Sequence, residues 1–429
     1  MLLSFRFSNF RSFRDEQELS LIAGINPDGR EVFSIPGIKE SVLPACAIYG
    51  ANASGKSNLL KALRYVENAV LNSHRHWEPE GTIPLQIFKG TSAEKEAAFS
   101  IDFVVGEVRF QFGFKANGTE IAEESLYSYP NGRRQVLYSR TGPGPATISA
   151  GRALSGDNKT IAALTRKNSL FLSAAAQNNH EMLLPVYGWF QKSVHFVLGQ
   201  EHSGALQTAR MCRNEDRRRE VSDLMTFADL GIVSLQLEKT QADVNEKFRS
   251  AFDAFLNVLE FPQDERARLA TREDNDRVRL VHRLGDDLVP FDLDDESQGT
   301  IAYFSTLGPV LRALDRGSVL VVDELDSSLH PSLTAFLVRL FGDKTSNPKS
   351  AQLIFNTHDT QLLADGILGR DQIWFTDKDR QGASRLYPLT DFKPRSEEDF
   401  QKRYLQGRFG AIPFINSERI IEGLNARPQ

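Results

Sequence analysis

The chain has 429 residues, 41% of them hydrophobic and 25% charged, which fits a globular protein of two or three domains and excludes long disorder. A net charge of −5 gives no global pull toward nucleic acid. Apolar runs of four or five residues fall far short of the roughly 20 needed to span a bilayer, so no membrane partner is expected.

Arg6, Arg11 and Arg14 interrupt the N-terminus where a secretory signal would be apolar. Leu3, Phe5 and Phe7 alternate there with Ser4, Arg6 and Ser8, the period-two pattern of a half-buried strand. Cys46 and Cys212 are the only cysteines, too few for a disulfide framework or a four-thiolate zinc site, and a reducing, cytoplasmic setting is expected. A second strand, ACAIYG at 45–50, runs into a glycine-bearing loop and then the helical NLLKALRYVENAV. From about 97 to 140 the pattern is all strand, and the dipeptides Asn117-Gly118 and Asn131-Gly132 predict antiparallel hairpins. The abundant phenylalanines alternate along these strands, which makes most of them core residues.

Residues 141–160 are rich in Gly, Pro and Ser and form the candidate boundary. From 160 to 275 the periodicity turns helical, without the sustained heptads of a long coiled-coil arm. After 278 strand and helix alternate again through VRLVHRL, a helix near 298–315, SVLVVDE, a helix near 331–342, AQLIFN and DQIWFT. The expected fold is α/β: a largely parallel sheet assembled from both ends of the chain, an antiparallel β subdomain, and an inserted, mostly helical lobe. The expected divisions are 1–140, 141–277, 278–390 and a tail, 391–429.

The strongest motif is Gly50-Ala51-Asn52-Ala53-Ser54-Gly55-Lys56-Ser57, a full GxxxxGKS between an apolar strand and a helix. Glycines let the loop turn so that backbone N–H groups face inward around phosphate oxygens. Lys56 supplies a positive charge to the β- and γ-phosphates, Ser57 a hydroxyl to Mg²⁺, and the helix N-terminus a favourable dipole. Val319–Val322 then forms a buried strand ending in Asp323 and Glu324. Asp323 is placed to hold Mg²⁺ through water, and Glu324 to orient and deprotonate an attacking water. Three further motifs keep the same order: Glu296-Ser297-Gln298-Gly299-Thr300 opening a helix, Asp326 to Pro331 after the acid pair, and Asn356-Thr357-His358-Asp359 closing the next strand.

In these motifs the sequence resembles the ABC-type ATPases of the SMC/RecF/OLD group. It is most similar to the standalone RloA/AbiL-like ATPases of bacterial abortive-infection loci. The resemblance runs through NFRSF (9–13), GANASGKSN, ESQGT, DELDSSLHP, NTHD and YLQGRFGAIPF (404–414). It implies ATP and Mg²⁺ as ligands, with Asn58 completing the phosphate loop. Ser297 and Gly299 then stand for the signature, Asp326 for the D-loop and His358 for the switch histidine. Arg11 is implied near the nucleotide, and Gln86 and Gln111 are both candidates for the Q-loop glutamine. It also implies a homodimer in which Ser297 and Gly299 of one protomer complete the phosphate site of the other.

Arg210 to Glu220 is the densest basic run, but interleaved acids favour a solvated helix over a nucleic-acid contact. The acids Asp292, Asp294, Asp295 and Glu296 are better explained by a loop beside the signature than by a nuclease metal site. His74 and His76 have no further ligands nearby, and a surface loop is expected. The aromatic tail 404–414 is expected to dock on its own core or on a partner. Three functions compete: an ATPase switch controlling a separately encoded effector in antiviral defence, a DNA-repair clamp of the RecF/SMC type, and a scaffold locked by ATP. Relatives of the OLD type carry a nuclease domain after the ATPase, for which residues 377–429 leave too little chain, so a separate effector is expected. Glu324 argues against the scaffold, which needs no water-activating acid.

Overall fold

The computed structural model describes residues 1–24, 30–35, 38–90, 95–199, 203–228, 231–239, 276–364, 366–395 and 398–413. Expectations for 240–275 and for the end of the tail, 414–429, lie outside these residues.

Two compact units account for the chain. The first comprises Met1–Gly199, Ala313–Asp326 and Thr334–Gln429, and the second Gln200–Arg312 and Ser327–Leu333. Two sheets build the first unit. One is antiparallel and seven-stranded, in the order β10 (Ile148–Ala150), β9 (Gln135–Arg140), β8 (Ile121–Tyr129), β7 (Val108–Ala116), β6 (Ala97–Val105), β1 (Leu2–Ser8), β2 (Gln17–Ser20). Its side chains alternate as the sequence predicts: Phe5, Phe7, Phe99, Phe103, Phe112 and Phe114 are all buried. At the β8–β9 turn Asn131 and Gly132 both take positive φ, 53° and 74°, the backbone that such hairpins favour.

The second sheet is six-stranded: β11 (Val194–Val197), β15 (Val319–Val322), β16 (Gln352–Asn356), β5 (Ala45–Gly50), β17 (Ile373–Lys378), β18 (Ser384–Pro388). All its pairings are parallel except β17 with β18. Every residue of β5, β15 and β16 is buried, hence their continuous apolar runs. A short hairpin, β3 (Phe33–Ser34) and β4 (Ser41–Val42), lies between β2 and β5 in the chain. The two large sheets are tied by the buried Gln352 amide, which accepts from Leu2 N at 2.7 Å and donates to Leu2 O at 2.9 Å.

Helix α1 (Lys56–Asn72) buries Leu59, Leu60, Leu63, Val66 and Val70, the spacing of one helical face. Glu67 shares that face, and burial pushes its carboxyl up to about 7, opposed by the Arg64 guanidinium 3.3 Å away and facing Tyr187. The unfolded carboxyl titrates first, so this group makes stability fall as pH rises from 4.5 toward 7. Glu67→Gln is therefore expected to match the native protein below pH 4.5 and to exceed its stability by ~2 kcal/mol at pH 8, read by chemical denaturation.

The division of the chain differs from the sequence expectation. Residues 141–199, with α2 (Asn158–Leu164), α3 (Phe171–Gln177) and α4 (Leu184–Lys192), belong to the first unit. Arg140, at the end of β9, explains this: its buried guanidinium donates to the carbonyls of Gly142, Pro143, Lys167 and Ser169. Glu124 on β8, also buried, accepts from Phe171 N at 2.7 Å and Leu172 N at 3.1 Å. A Gly/Pro/Ser-rich stretch so stitched to the sheet is no boundary, and composition cannot display these long-range bonds.

The second unit holds α5 (Ser203–Met211), α6 (Glu215–Phe227), the antiparallel sheet β12 (Ile232–Lys239), β13 (Asp276–Leu284), β14 (Asp287–Asp292), and most of α7 (Gln298–Arg316). Strand β12 stands where helical periodicity was expected. Its partner β13 follows it only after a long stretch of chain, so local pattern could not reveal the pairing. On α6 the ion pairs Arg217–Glu220 and Arg219–Glu215 are one helical turn apart, the solvated-helix arrangement. Asp292 is taken up by Arg277 and Arg279.

Helix α8 (Pro331–Gly342) precedes β16, and α9 (Phe400–Leu405) begins the described tail. That tail docks on its own unit. Tyr404 stacks on Phe375 at 5.5 Å and meets Tyr49 edge-on at 5.7 Å, Phe409 stacks on Phe375, and Tyr387 Oη donates to Phe409 O. Among the described residues no helix is long and apolar enough to cross a membrane, and no group of His, Cys, Asp and Glu has metal-site geometry.

Candidate functional site: a phosphate loop and its acidic neighbours

Strand β5 delivers Gly50 into the loop and α1 begins at Lys56. Two glycines are sterically required. A Cβ on Gly50 would lie 2.5 Å from Thr376 O, and one on Gly55, at φ +124°, 2.5 Å from Ser384 Oγ. The loop is braced from below by hydroxyls. Ser384 Oγ lies 2.5 Å from Ser54 O and 2.8 Å from Ser12 Oγ, and Ser54 Oγ lies 2.6 Å from Thr376 Oγ1. Asn58 belongs to this brace, donating to Ser12 Oγ at 2.9 Å. Sequence reading missed Ser12, Thr376 and Ser384, which come from remote positions and carry no motif of their own; Ser12 and Thr376 stood inside the quoted runs NFRSF and DQIWFT without being singled out.

The buried Lys56 Nζ donates to Gly50 O at 2.8 Å and Ala51 O at 3.3 Å, two backbone carbonyls of its own loop. Burial lowers its pKa, opposed by the carboxylates of Glu324, Asp323 and Asp326. Ser57 Oγ donates to Asp323 Oδ1 at 2.8 Å. The same oxygen accepts from Asn356 Nδ2, while Asn356 Oδ1 accepts from Glu324 N. Glu324 takes φ +57° at the end of β15, with its side chain exposed. His358, also exposed, donates its backbone N–H to Asp326 Oδ2 at 3.1 Å. Partial burial and the Lys56 charge lower its imidazole pKa, against the raising effect of Asp326 and Glu324. Its neighbour Asp359 is held through its carbonyl by Tyr49 Oη at 3.0 Å, and Thr360 Oγ1 by Gln401 of the tail at 3.2 Å.

The fold thus brings together Gly50 to Asn58, Asp323, Glu324, Asp326 and His358. Ser297 and Gly299 open α7 in the second unit. The Ser297 hydroxyl caps that helix, accepting from Thr300 N at 3.2 Å, and a Cβ on Gly299 would lie 3.1 Å from Ser328 O. Arg11, at φ +51°, joins its backbone N–H to Gln86 O at 2.8 Å, and its guanidinium lies 5.7 Å from the Phe10 ring. Burial lowers the Arg11 pKa. Gln111 is committed elsewhere: its amide bonds Asp102 and Tyr129 within the antiparallel sheet. The Gln86 side chain is exposed.

The residues fit a nucleoside triphosphate with a divalent cation. No side chain caps the N-terminus of the 17-residue α1, leaving its N–H groups for an anion. Among the described residues the lysine ammonium bonds loop carbonyls alone, and a hydroxyl–carboxylate pair stands beside it, the hard oxygen donors that Mg²⁺ prefers.

A phosphate loop on one strand of a parallel sheet, a histidine closing the next strand and an acidic pair closing the one beyond make the core of a P-loop nucleotide-binding protein. Residues 46–364 match the family described as "AAA domain, putative AbiEii toxin, Type IV TA system", and the chain belongs to that family. Among solved structures the chain is similar to an SMC head bound to the C-winged helix domain of ScpA, with 12% identity, TM-score 0.41, and coverage of 91% of this chain and 99% of that one. It is similar also to the SMC head domain from Thermotoga maritima, with 13% identity, TM-score 0.39, and coverage of 90% and 98%. No curated protein matches the sequence.

Proposed function

We propose that this protein hydrolyses ATP as a homodimer, and that the nucleotide cycle switches a separately encoded toxic effector in antiviral defence. The observation that carries the hydrolytic part is the 2.8 Å bond from Ser57 Oγ to Asp323 Oδ1. It joins the end of the phosphate loop to the acidic pair. When bound, Mg²⁺ supplies positive charge to the β- and γ-phosphate oxygens, with Ser57 and Asp323 as its protein partners. Residues 50–56 wrap the phosphates with backbone N–H groups, and Lys56 turns from its own carbonyls to them. Glu324 accepts the proton of the attacking water, and His358 faces the γ-phosphate. Gln86, tied to the Arg11 segment, takes the Q-loop role.

The signature residues supply the dimer argument. Ser297 is exposed at the N-terminus of the 19-residue α7, a hydroxyl and a helix end able to meet a phosphate presented by a second copy. Closure by that copy excludes water and adds donors where negative charge develops. Loss of the γ-phosphate then loosens the pair. The defence role is supported by the family description, which names a putative toxin of a type IV toxin–antitoxin system. The DNA-clamp reading is weakened by the basic helix α6, where two of its arginines pair with acids of the same helix.

Mixing two inactive variants tests the composite site. Ser297→Arg and Lys56→Ala are each expected to be inactive alone. Together they form heterodimers with one intact site, so an equal mixture recovers up to about a quarter of the native rate per chain. No recovery at any ratio, with both variants folded, would contradict catalysis shared between protomers.

A further inference from the structure

Asn356 is the last residue of β16 and is fully buried, yet the scheme above gives it no task. Its side chain meets two neighbouring residues at once: Nδ2 donates to Asp323 Oδ1, and Oδ1 accepts from Glu324 N. Its backbone carbonyl accepts from Leu325 N at 3.2 Å. Three consecutive residues, 323 to 325, therefore hang on this single position.

The strand ladder cannot do this work. In the parallel pairing of β15 with β16 the last partners are Val322 and Phe355, and Asn356 stands one step beyond them. At φ +57° Glu324 has left the strand conformation, and a non-glycine residue keeps such a backbone only where its surroundings over-determine it. Here the surroundings are the Asn356 amide. A primary amide presents a donor and an acceptor together, whereas an ionised carboxylate presents acceptors only and an alkyl group neither.

We infer that Asn356 is the positioning residue of the hydrolytic site: its amide fixes the backbone turn that aims the Glu324 carboxylate, and it holds Asp323 Oδ1 in place beside Ser57. This inference rests on the ATPase reading and adds to it a residue that acts through Asp323 and Glu324. A carboxylate in its place would lose the donor toward Asp323 and repel it. Once protonated, it would regain both a donor and an acceptor.

Asn356→Ala and Asn356→Asp in the full chain test this, with ATP turnover and fluorescent-ATP binding followed from pH 5.5 to 8.5. Asn356→Ala is expected to lower kcat about 100-fold, the cost of misplacing a catalytic group by about 1 Å, with ATP affinity within about threefold of native. Asn356→Asp should be equally impaired at pH 8.5. A kcat for Asn356→Ala within threefold of native, or a loss of ATP affinity that matches the loss of kcat, would overturn the inference while leaving the ATPase reading standing. A native protein that binds no ATP, or never hydrolyses it, would remove both. Should the alanine variant fail to fold, the isosteric Asn356→Asp variant decides by the same comparison of kcat with ATP affinity.

Discussion

Lys56→Ala is expected to abolish measurable ATP binding while leaving the protein folded. The ammonium is buried and, among the described residues, bonds the carbonyls of Gly50 and Ala51, so its loss removes two internal hydrogen bonds together with a cation that burial already disfavours. These effects oppose each other, and the melting temperature should move by only a few degrees. Toward a triphosphate the balance is one-sided. The variant forfeits charge-assisted bonds of about 1.5–3 kcal/mol each, and three carboxylates, Asp323, Glu324 and Asp326, lose the positive charge standing among them. Two such bonds correspond to an affinity loss of about 100-fold or more. Titration with a fluorescent ATP analogue, beside a thermal melt, measures both quantities. Retained affinity would remove the phosphate-loop assignment.

How much of this was legible in the sequence depends on whether a feature is local. Strands β5, β15, β16 and β17 stood out as apolar runs, and α8 at 331–342 agreed with its expected span, because continuous burial and helical spacing are written in adjacent residues. The phosphate loop and the acidic pair were equally visible, since their chemistry needs fixed short spacings. What lay beyond reading was whatever two distant segments make together. Nothing near Arg140 announces that its guanidinium collects carbonyls as far along the chain as Ser169, so residues 141–199 looked separable. Strand β12 gave no sign of a partner that begins only at Asp276. Asn356 was seen as a letter of the NTHD motif, but its two-handed contact with 323–324 depends on the order of β15 and β16 in the sheet. The docking of the tail on Phe375 and Tyr49 was one of two readings, and an exposed aromatic run cannot by itself choose between its own core and a partner.

Glu324→Gln should separate binding from turnover. The residue is exposed at the end of β15, and its backbone is held by Asn356; glutamine has the same size and leaves that N–H in place, so the turn at φ +57° should persist. The variant loses the only feature the scheme requires of the side chain, its capacity to accept a proton from water. Loss of a general base is expected to lower turnover by about 10²–10⁴-fold. ATP should bind at least as well as before, because one negative charge near the phosphates is gone. The same carboxylate raises the pKa values of Lys56 and His358, so its neutralisation should lower both. With binding intact and hydrolysis blocked, the closed state has no exit, and the variant should accumulate as a dimer in ATP but not in ADP, visible as a mass shift in solution scattering. Undiminished turnover would take Glu324 out of the chemistry. Blocked turnover with no ATP-dependent dimer would keep Glu324 as the base and remove association from the cycle.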